Sequence, residues 1–493
     1  MGHPIPYKSN LDTRLLKFSG GDYFTIRDAV TGVQIFGGTG SGKTSGSGRA
    51  LAQAYLRAGF GGIVLCAKPG EADLWRKLAK ECGRAKDLVF FDDSGGLRFN
   101  FLDYAQHTIA AGGKDMNLVQ LLSTVAEASR AQSGGGGGNE ETYFRDAANQ
   151  LVANAIPFLR IANGSIRLKD LHAFINSSPR TREEARSDAW RNDSYCGRTM
   201  MRVYQRGKAG DMQAARVFEE HRRYWLDESS SLGDKTRGSI ISTLTSSIYP
   251  FLSGQLHDLF CTDTNILPEY ARQGVIIVLD LPARSHGVAG VVAQQIFKLA
   301  FQLCMEAEHV SDKTRPVMIW ADECQFFMNS HDTDHLSVCR QQRVANVFIT
   351  QDMPTYQAKI GNEKEAESLL NKFGTRIFHA TTDYNTSKYA ADIIGRIRHY
   401  TLSESQSRGA SSSGGDSLGE TAGSGTGSYG VSLTSQQSKS SYLEYDIQPD
   451  YFAKQLRTGG KPNNHKVDGI VIRNGMKFKS SGNNRIKAEF SQL

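Results

Sequence analysis

The chain has 493 residues, a formal net charge of +7 at pH 7 and 39% hydrophobic residues. This length predicts about three domains, and the mild basicity is compatible with a polyanionic partner without demonstrating one. The seven cysteines are scattered without a C-x-x-C pair. Their pattern disfavours a disulfide framework or a zinc site and favours a reducing cytosol.

No apolar run approaches the about 18 residues that a membrane-spanning helix needs. The strongest run, Gly274 to Leu281, is short and carries Asp280. The first residues of the sequence contain no apolar signal core. We therefore expect a soluble chain, either a piece of a larger machine or a subunit docked on a membrane partner.

A glycine-rich segment follows a small β lead-in that we predict over Leu11 to Thr31. Val33 to Phe36 are apolar and β-prone, so they predict a buried strand. The residues after this strand fit G-x-x-x-x-G-K-[ST] at every fixed position. Such glycines let backbone N–H groups surround phosphate oxygens, and the following helix directs its positive end at the same anion. The residues predicted to bind nucleotide are Gly37, Gly38, Thr39, Gly40, Ser41, Gly42, Lys43, Thr44 and Ser45.

Two side chains of this loop carry specific roles. Lys43 is predicted to reach the β and γ phosphates, and the Thr44 hydroxyl to take one coordination site on Mg²⁺. An apolar stripe at Leu51, Ala54 and Tyr55 indicates the helix that follows. A chance match is disfavoured because strand, loop and helix occur in this order. ATP and Mg²⁺ are therefore the expected cofactors.

The next stretch predicts a strand–helix–strand unit. Its strands are Gly62 to Ala67 and Leu88 to Phe91, with a helix at Glu71 to Glu81 between them. Lys68 follows the first of these strands at its carboxyl end, where α/β sheets bind ligands. This lysine either assists near the nucleotide or is a solvated residue at a strand end.

The middle of the chain predicts helices. Five consecutive glycines within Ser133 to Asn139 predict a flexible surface loop, and an apolar stripe from Phe144 to Leu159 predicts a long helix. From about Ile166 to Gly238, arginines become frequent and acidic residues are interleaved with them. We interpret this stretch as an inserted all-α subdomain that offers either a DNA-contacting face or salt-bridged helix surfaces. These arginines include Arg180, Arg182, Arg186, Arg191, Arg198, Arg202, Arg206, Arg216, Arg222 and Arg223.

The sheet is predicted to resume in the last part of the chain. A helix carrying Val292, Ile296 and Leu299 separates the first two of these strands. Ser403 to Ser441 is rich in serine and glycine with hardly any large apolar residue, so we expect disorder or a mobile hairpin there. The predicted strands are Val275 to Leu279, Val317 to Trp320, Asn346 to Thr350, Thr375 to His379 and Val467 to Ile472.

Adjacent carboxylates end the strand Val317 to Trp320. Asp322 is predicted to hold Mg²⁺ through water, and Glu323 to orient and deprotonate the attacking water. A helix cap is the alternative for this pair. The phosphate loop earlier in the chain favours the catalytic interpretation.

Polar and basic residues surround the next strand. Gln351 follows its end and is predicted to sense the γ-phosphate, with a buried structural amide as the alternative. Arg340 and Arg343 lie just upstream on a predicted helix. In ring ATPases an arginine from a neighbouring subunit often stabilises the transition state. We take Arg340 as the candidate for this role, and surface salt bridging is the alternative for both arginines.

Together these motifs resemble the type IV coupling proteins, the TraD/TraG-like and FtsK/HerA-related ATPases of conjugation and type IV secretion. The resemblance spans nearly the whole chain. It departs from the family at Cys66, where many members carry an aspartate, and in lacking the transmembrane helices with which many members begin. The matching segments are LCAKPGEADLW (65–75), RFNFLD (98–103), EETYFRDAANQL (140–151), WADECQFF (320–327), CRQQRVANVFITQDMPTY (339–356) and NKFGTRIFHATTDYNTSKYAADIIG (371–395).

The resemblance implies an α/β fold, a RecA-like P-loop NTPase motor domain whose mostly parallel sheet is flanked by helices, with an inserted all-α subdomain. We expect a first motor part over residues 1–163, the insert over 164–238 and a second motor part over 239–493 that contains a flexible segment at 403–441. The resemblance implies a homo-hexamer. It also implies roles in catalysis for Lys43, Glu323 and Gln351, and in metal binding for Thr44 and Asp322. Arg340 is added as a candidate catalytic residue by comparison with ring ATPases in general.

The function expected on this basis is an ATPase that recruits a relaxase-bound DNA strand and drives it into a type IV secretion channel. The expected partners are DNA bound without sequence preference, a relaxase or other secreted protein, and channel components or a membrane-anchoring partner. The chain is expected in the cytoplasm, peripheral at the inner membrane. The alternatives are a nucleotide-switched recognition platform for secreted proteins and an FtsK-like DNA segregation or packaging motor.

Overall fold

The computed structural model describes residues 10–110, 139–412 and 429–493. Most of the glycine loop predicted at 133–139 and the centre of the serine- and glycine-rich segment, at 413–428, lie outside the described residues. The fold below is that of the described part.

A nine-stranded sheet runs through the centre of the fold. The strands lie in the order β13-β12-β9-β3-β8-β7-β4-β6-β5. From β9 to β5 the strands all run parallel to one another. β12 runs antiparallel to both β9 and β13. The sheet strands are β3 (Val33–Phe36), β4 (Gly61–Leu65), β5 (Leu88–Phe91), β6 (Ile276–Leu279), β7 (Val317–Ala321), β8 (Val344–Thr350), β9 (Thr375–Phe378), β12 (Lys466–Arg473) and β13 (Arg485–Ser491).

Apolar residues fill both faces of this sheet. In β4, Ile63 and Leu65 belong to one hydrophobic cluster, and Val64 belongs to another on the opposite face. A parallel sheet covered by helices on both sides requires such continuous apolar strands. The predicted mostly parallel sheet flanked by helices is therefore confirmed, and each predicted sheet strand is present to within two residues at either end.

Helices cover the sheet and fill the middle of the chain. The helix predicted at Glu71 to Glu81 has these bounds in the structure. The α-helices are α1 (Ile26–Val30), α2 (Arg49–Arg57), α3 (Glu71–Glu81), α4 (Phe101–Ala110), α5 (Asn139–Asn163), α6 (Leu168–Asn176), α7 (Arg182–Arg186), α8 (Asp188–Asp193), α9 (Tyr195–Lys208), α10 (Met212–Arg223), α11 (Asp234–Ile248), α12 (Gly254–Phe260), α13 (Ala283–Ala307), α14 (Asp332–Val338), α15 (Met353–Ile360), α16 (Glu363–Asn371), α17 (Tyr384–Ile394) and α18 (Tyr451–Lys454).

The helices from α5 to α11 pack on one another, and we call residues 139–248 the helical region. The ring of Phe158 on α5 stacks on that of Phe174 on α6, with centroids 6.0 Å apart. The indole of Trp225 donates a hydrogen bond to the Asn154 carbonyl on α5, at 3.1 Å. Because α5 supplies part of this core, and because Gly238 lies inside α11, we propose that the all-α unit extends beyond the predicted limits of 164 and 238.

One helix, α13, is long and apolar enough to cross a membrane by length and composition alone. Gln294, Lys298 and Gln302 interrupt the apolar residues of this stretch, so the sequence shows no unbroken apolar run there. In the fold, 83% of its most apolar stretch is buried among the described residues. A single buried core helix of this kind is a weak indication of membrane insertion.

Two antiparallel hairpins stand apart from the sheet. The first pairs β1 (Arg14–Lys17) with β2 (Tyr23–Thr25) in the lead-in. The second pairs β10 (Arg396–Ser412) with β11 (Tyr429–Tyr445) and spans the serine- and glycine-rich segment. In its described part, this segment therefore forms a hairpin, one of the two predicted alternatives.

Candidate nucleotide site

The glycine loop leaves the sheet at the carboxyl ends of the parallel strands. It follows β3, which is buried along its whole length between β8 and β9. The Gly37 amide donates to the Gln351 carbonyl at 3.3 Å, and the Gly38 amide donates to the Ala380 carbonyl at 2.9 Å. These bonds tie the loop to the ends of both neighbouring strands.

Glycine is required at two points of the loop. Gly42 has a φ of +84°, and a Cβ there would lie 2.5 Å from Cγ2 of Val467. A Cβ on Gly37 would lie 2.4 Å from the Ser41 hydroxyl oxygen. Since no larger residue fits without displacing these neighbours, the two glycines shape the anion-binding concavity.

The helix after the loop begins with a π-helical turn, Thr44–Gly48, before α2. The buried Ser47 hydroxyl lies 2.6 Å from Nε2 of His379, whose Nδ1 lies 2.8 Å from the Asp468 carbonyl. Burial lowers the pKa of His379 to about 4. The neutral ring therefore donates through Nδ1 and accepts from Ser47 through Nε2, which fixes the first helical turn against the sheet.

The loop fits a bound polyphosphate. Among the described residues, no carboxylate lies within ion-pair distance of the Lys43 ammonium, although Lys43 is buried. The buried Ser41 hydroxyl has no hydrogen-bond partner among the described residues. A cleft of about 300 Å³ opens beside residues 40–45, with Arg49 and Gln492 on its wall. A buried cation and a donor hydroxyl next to an open cleft are what phosphate oxygens need.

The Thr44 hydroxyl donates to Oδ2 of Asp322 at 2.7 Å. The two residues predicted to hold Mg²⁺ therefore lie together. Burial raises the pKa of Asp322 above its ordinary value, and the hydrogen bond from Thr44 opposes that shift. In the described part of the chain, no cluster of three or more His, Cys, Asp or Glu side chains forms a metal site of its own. This set suits Mg²⁺, which typically takes one or two protein ligands together with water and phosphate oxygens.

Glu323 follows Asp322 in a left-handed backbone conformation, with φ and ψ both +52°. Its Oε1 accepts hydrogen bonds from Lys68 at 2.5 Å and Gln351 at 3.3 Å, and its Oε2 accepts one from Gln325 at 2.8 Å. Burial opposes ionisation of this carboxyl, but the bonds from Lys68 and Gln325 outweigh it and lower its pKa. Glu323 is therefore an ionised, firmly oriented carboxylate.

Gln351 connects the glycine loop to this carboxylate. Its amide nitrogen donates to Glu323, and its amide oxygen accepts from the Thr39 hydroxyl at 3.4 Å. The residue is partly buried at the end of β8. The structure thus brings the predicted sensor into contact with both the predicted base and the phosphate loop.

Arg340 does not join this group within the chain. The helix predicted to carry it, α14, ends at Val338, so Arg340 lies in an exposed turn and the predicted helix is wrong at this point. Arg340 precedes the amino end of β8, about 20 Å of strand away from Gln351. Arg343 is buried and binds Asp312 at 3.2 Å and two carbonyl oxygens at 3.1 Å, in a left-handed conformation with φ of +52° that ends the turn.

Gln325 and Glu71 also belong to this site, although no sequence pattern predicts them. Gln325 connects the end of β7 to the end of β8, because its side chain donates a hydrogen bond to Glu323 and accepts one from the Thr350 hydroxyl at 3.0 Å. Glu71 accepts from the Ala67 amide at 2.8 Å, and burial together with the nearby Asp322 charge raises its pKa to about 8. Only the position of Gln325, two residues after Glu323, could have suggested a role from the sequence.

The fold and the site define a RecA-like P-loop protein of the nucleotide-binding class. The sequence profile of the family described as type IV secretory system conjugative DNA transfer matches residues 14–421. The chain belongs to this family of conjugative coupling proteins. No curated protein matches the sequence.

Solved structures of the coupling protein TrwB share the fold. TrwB in complex with a non-hydrolysable GTP analogue superposes with a TM-score of 0.58 at 12% identity, covering 98% of this chain and 89% of that chain. TrwB in complex with ADP and Mg²⁺ also gives a TM-score of 0.58 at 12% identity, covering 98% and 88% of the two chains. TrwB with a non-hydrolysable ATP analogue gives 0.56 at 13% identity, covering 97% and 89%.

Proposed function

We propose that the chain hydrolyses ATP with Mg²⁺ and uses the energy to drive a relaxase-bound DNA strand into a type IV secretion channel. One observation carries the enzymatic part. Lys43, Thr44, Asp322 and Glu323 converge at one edge of the sheet, with Thr44 and Asp322 in direct contact at 2.7 Å. Membership of the conjugative DNA-transfer family supports the transport part. The nucleotide complexes of TrwB support the choice of cofactor.

Each residue has a defined task in this proposal. The Lys43 ammonium would bind the β and γ phosphates, and Thr44 and Asp322 would hold Mg²⁺ directly or through water. The bound Mg²⁺ would supply charge neutralisation on the phosphate oxygens. Glu323 orients the attacking water and accepts its proton, and Gln351 couples the position of Glu323 to the glycine loop through Thr39.

Lys68 limits when Glu323 can act. Its ammonium forms an ion pair with Oε1 of Glu323 at 2.5 Å, while its own side chain remains 56% exposed. This pair lowers the basicity of the carboxylate, which is poorly suited to proton abstraction while Lys68 holds it. Because one partner is half exposed, a ligand or neighbouring chain can reach Lys68 and loosen the pair.

The active assembly in this proposal is a homo-hexamer at the cytoplasmic face of the inner membrane, attached through a partner. A ring gives Arg340 a role that its own chain does not offer. The residue is exposed on the surface and distant from its own phosphate loop, so it can serve only a neighbour's nucleotide. An arginine supplied in this way raises turnover by a large factor.

ATP hydrolysis across protein concentrations, with single-stranded DNA, duplex DNA or neither, tests this proposal. We expect Mg²⁺-dependent hydrolysis whose rate per chain rises with concentration and on DNA. Lys43→Ala should abolish it by removing the cation that binds the phosphates. A recognition platform would instead bind ATP with negligible turnover under all three conditions.

Mixing variants tests Arg340 separately. Arg340→Ala chains and Glu323→Gln chains should each be inactive alone. Mixed rings should regain some turnover, because some interfaces then combine an intact arginine with an intact glutamate. Mixed rings that form yet never regain turnover would exclude Arg340 from the site.

A further inference from the structure

The hairpin formed by β10 and β11 projects from the motor. Each strand has 17 residues, so the hairpin is about 55 Å long. Its two strands form a separate two-stranded sheet, which leaves both outer edges unpaired. At its root, the Tyr445 hydroxyl donates to Asp392 on α17 at 2.9 Å. A two-stranded hairpin is marginally stable on its own in water, so such a long one gains from a binding partner.

The register sorts its charged residues onto one face. Residues directly opposite each other in an antiparallel pair share a face, and successive residues alternate. Arg396 is opposite Tyr445, Leu402 is opposite Lys439, and Arg408 is opposite Leu433. The even-numbered positions of β10 and the odd-numbered positions of β11 therefore form one face, which we call the cationic face. Every lysine and arginine of these two strands lies on it: Arg396, Arg398, Arg408 and Lys439.

The opposite face differs in chemistry. It carries mainly serine, threonine and glycine, with His399 stacked on Tyr442 at a centroid distance of 5.6 Å. Its carboxylate, Glu444, lies 3.7 Å from His399 and on the other side of the ribbon from the arginines. By register, the cationic face includes one acidic position, Glu404, compared with four basic ones.

The acidic neighbours of the four cations decide how much free charge the face carries. Among the side chains that the structure describes, no carboxylate lies within ion-pair distance of any of the four, and all four are exposed. In the helical region, by contrast, Arg216 binds Glu220 at 2.7 Å and Arg222 binds Glu219 at 2.9 Å. The hairpin therefore presents positive charge that the fold itself does not neutralise.

Tyrosines lie among these cations near the root of the hairpin. The Lys439 ammonium lies 4.4 Å from the centre of the Tyr400 ring. The Arg396 guanidinium lies 4.6 Å from the centre of the Tyr445 ring and donates to its hydroxyl at 3.1 Å. Cations interleaved with exposed aromatic rings are the combination that binds a nucleic-acid backbone and its bases without sequence preference.

We propose that the cationic face of the β10–β11 hairpin binds the phosphodiester backbone of DNA. The inference rests on the proposed DNA-transport function and adds a contact surface outside the nucleotide site. Charge complementarity selects DNA over a second copy of the chain, whose hairpin would present the same positive face. On this face the exposed Val431 and Leu433 lie toward the far end, whereas the exposed Leu443 lies opposite Arg398.

The test compares two double variants that each remove two positive charges. Arg398→Gln with Lys439→Gln alters the hairpin, and Arg222→Gln with Arg223→Gln alters the ion-paired helical region. Binding to a fluorescent single-stranded oligonucleotide and to its duplex is measured by anisotropy from about 50 to 200 mM salt. ATPase activity without DNA and the unfolding midpoint verify that both variants remain folded.

We expect the hairpin variant to bind at least one of the two DNAs about tenfold more weakly at low salt, with a salt slope lower by about 1.4 to 1.8. The helical-region variant should bind like the parent. Parental binding and slope in the hairpin variant would overturn the inference, and so would an unchanged DNA affinity with loss of self-association.

A parent chain that hydrolyses ATP but binds neither DNA would overturn both this inference and the transport function. A parent that binds DNA without hydrolysing ATP would contradict only the proposed enzyme.

Discussion

The helical region and the β10–β11 hairpin both carry basic residues, yet they differ in how these residues are paired. Five arginines on the helices bind carboxylates three to five residues away, as Arg191 does with Asp188 at 3.0 Å and Arg206 with Asp211 at 2.9 Å. The cations of the hairpin share one face without such partners. The number of arginines in a segment therefore says little about its free positive charge, because local pairing decides it.

The two regions also differ in how they are stabilised. The helical region has an aromatic core in which Trp225, Phe158 and Phe174 are fully buried. Most described side chains of the hairpin are exposed, including Leu433 at 70% and Tyr400 at 59%. Packing determines the first structure, whereas backbone pairing with a few cross-strand side-chain contacts holds the second.

Glu323 lies in the nucleotide site, outside both basic regions, and its substitution should have the largest effect among the comparisons that follow. Glu323→Gln should lower the rate of ATP hydrolysis by about 100-fold to 10,000-fold, because the amide keeps the shape but cannot accept a proton. ATP and DNA binding should persist, since Lys43 and the hairpin are unchanged. Hydrolysis at the parental rate would remove Glu323 from its assigned role.

Core packing should separate the two regions next. Phe174→Ala in the helical region should lower the free energy of unfolding by about 3–5 kcal/mol, since the ring is fully buried. Leu433→Ala in the hairpin should change it by less than about 0.5 kcal/mol because that side chain is exposed. Urea unfolding followed by circular dichroism measures both. Equal losses would mean that the hairpin packs against something within the chain.

The smallest effect is expected from the arginines of the helical region. Replacing Arg222 and Arg223 by glutamine should change DNA affinity by less than about twofold, because surface ion pairs with Glu219 and Glu228 already occupy both guanidinium groups. Anisotropy at low salt is the measurement. A large loss of affinity would show that these ion pairs break when DNA binds. The two regions would then not differ in their contact with DNA.

Several of these features are readable from the sequence. The strands of the motor sheet follow from short apolar runs, and the nucleotide loop from its glycine spacing. The ion pairs Arg216–Glu220 and Arg222–Glu219 follow from helical spacings of four and three residues. The interleaved acids leave the helical stretch open between a DNA-contacting face and salt-bridged surfaces, and the ion pairs in the structure favour the second.

Other features depend on contacts between distant parts of the chain. The pairing of Lys68 with Glu323 requires β4 and β7 to be neighbours, which no local pattern specifies. The cationic face depends on the register of β10 with β11, which a low-complexity segment does not encode in its hydrophobic pattern. The early end of α14 before Arg340 follows from the turn that precedes β8, whose left-handed Arg343 carries no sequence signal.

Displacement of streptavidin from biotin-tagged DNA tests the central claim most directly, because it reports movement along DNA rather than hydrolysis. Single strands tagged at either end and a tagged duplex are incubated with the parent chain or with Glu323→Gln, each with ATP and Mg²⁺. We predict ATP-dependent displacement by the parent from at least one of these substrates, and none by the variant. DNA-stimulated hydrolysis by the parent without displacement from any substrate would contradict translocation.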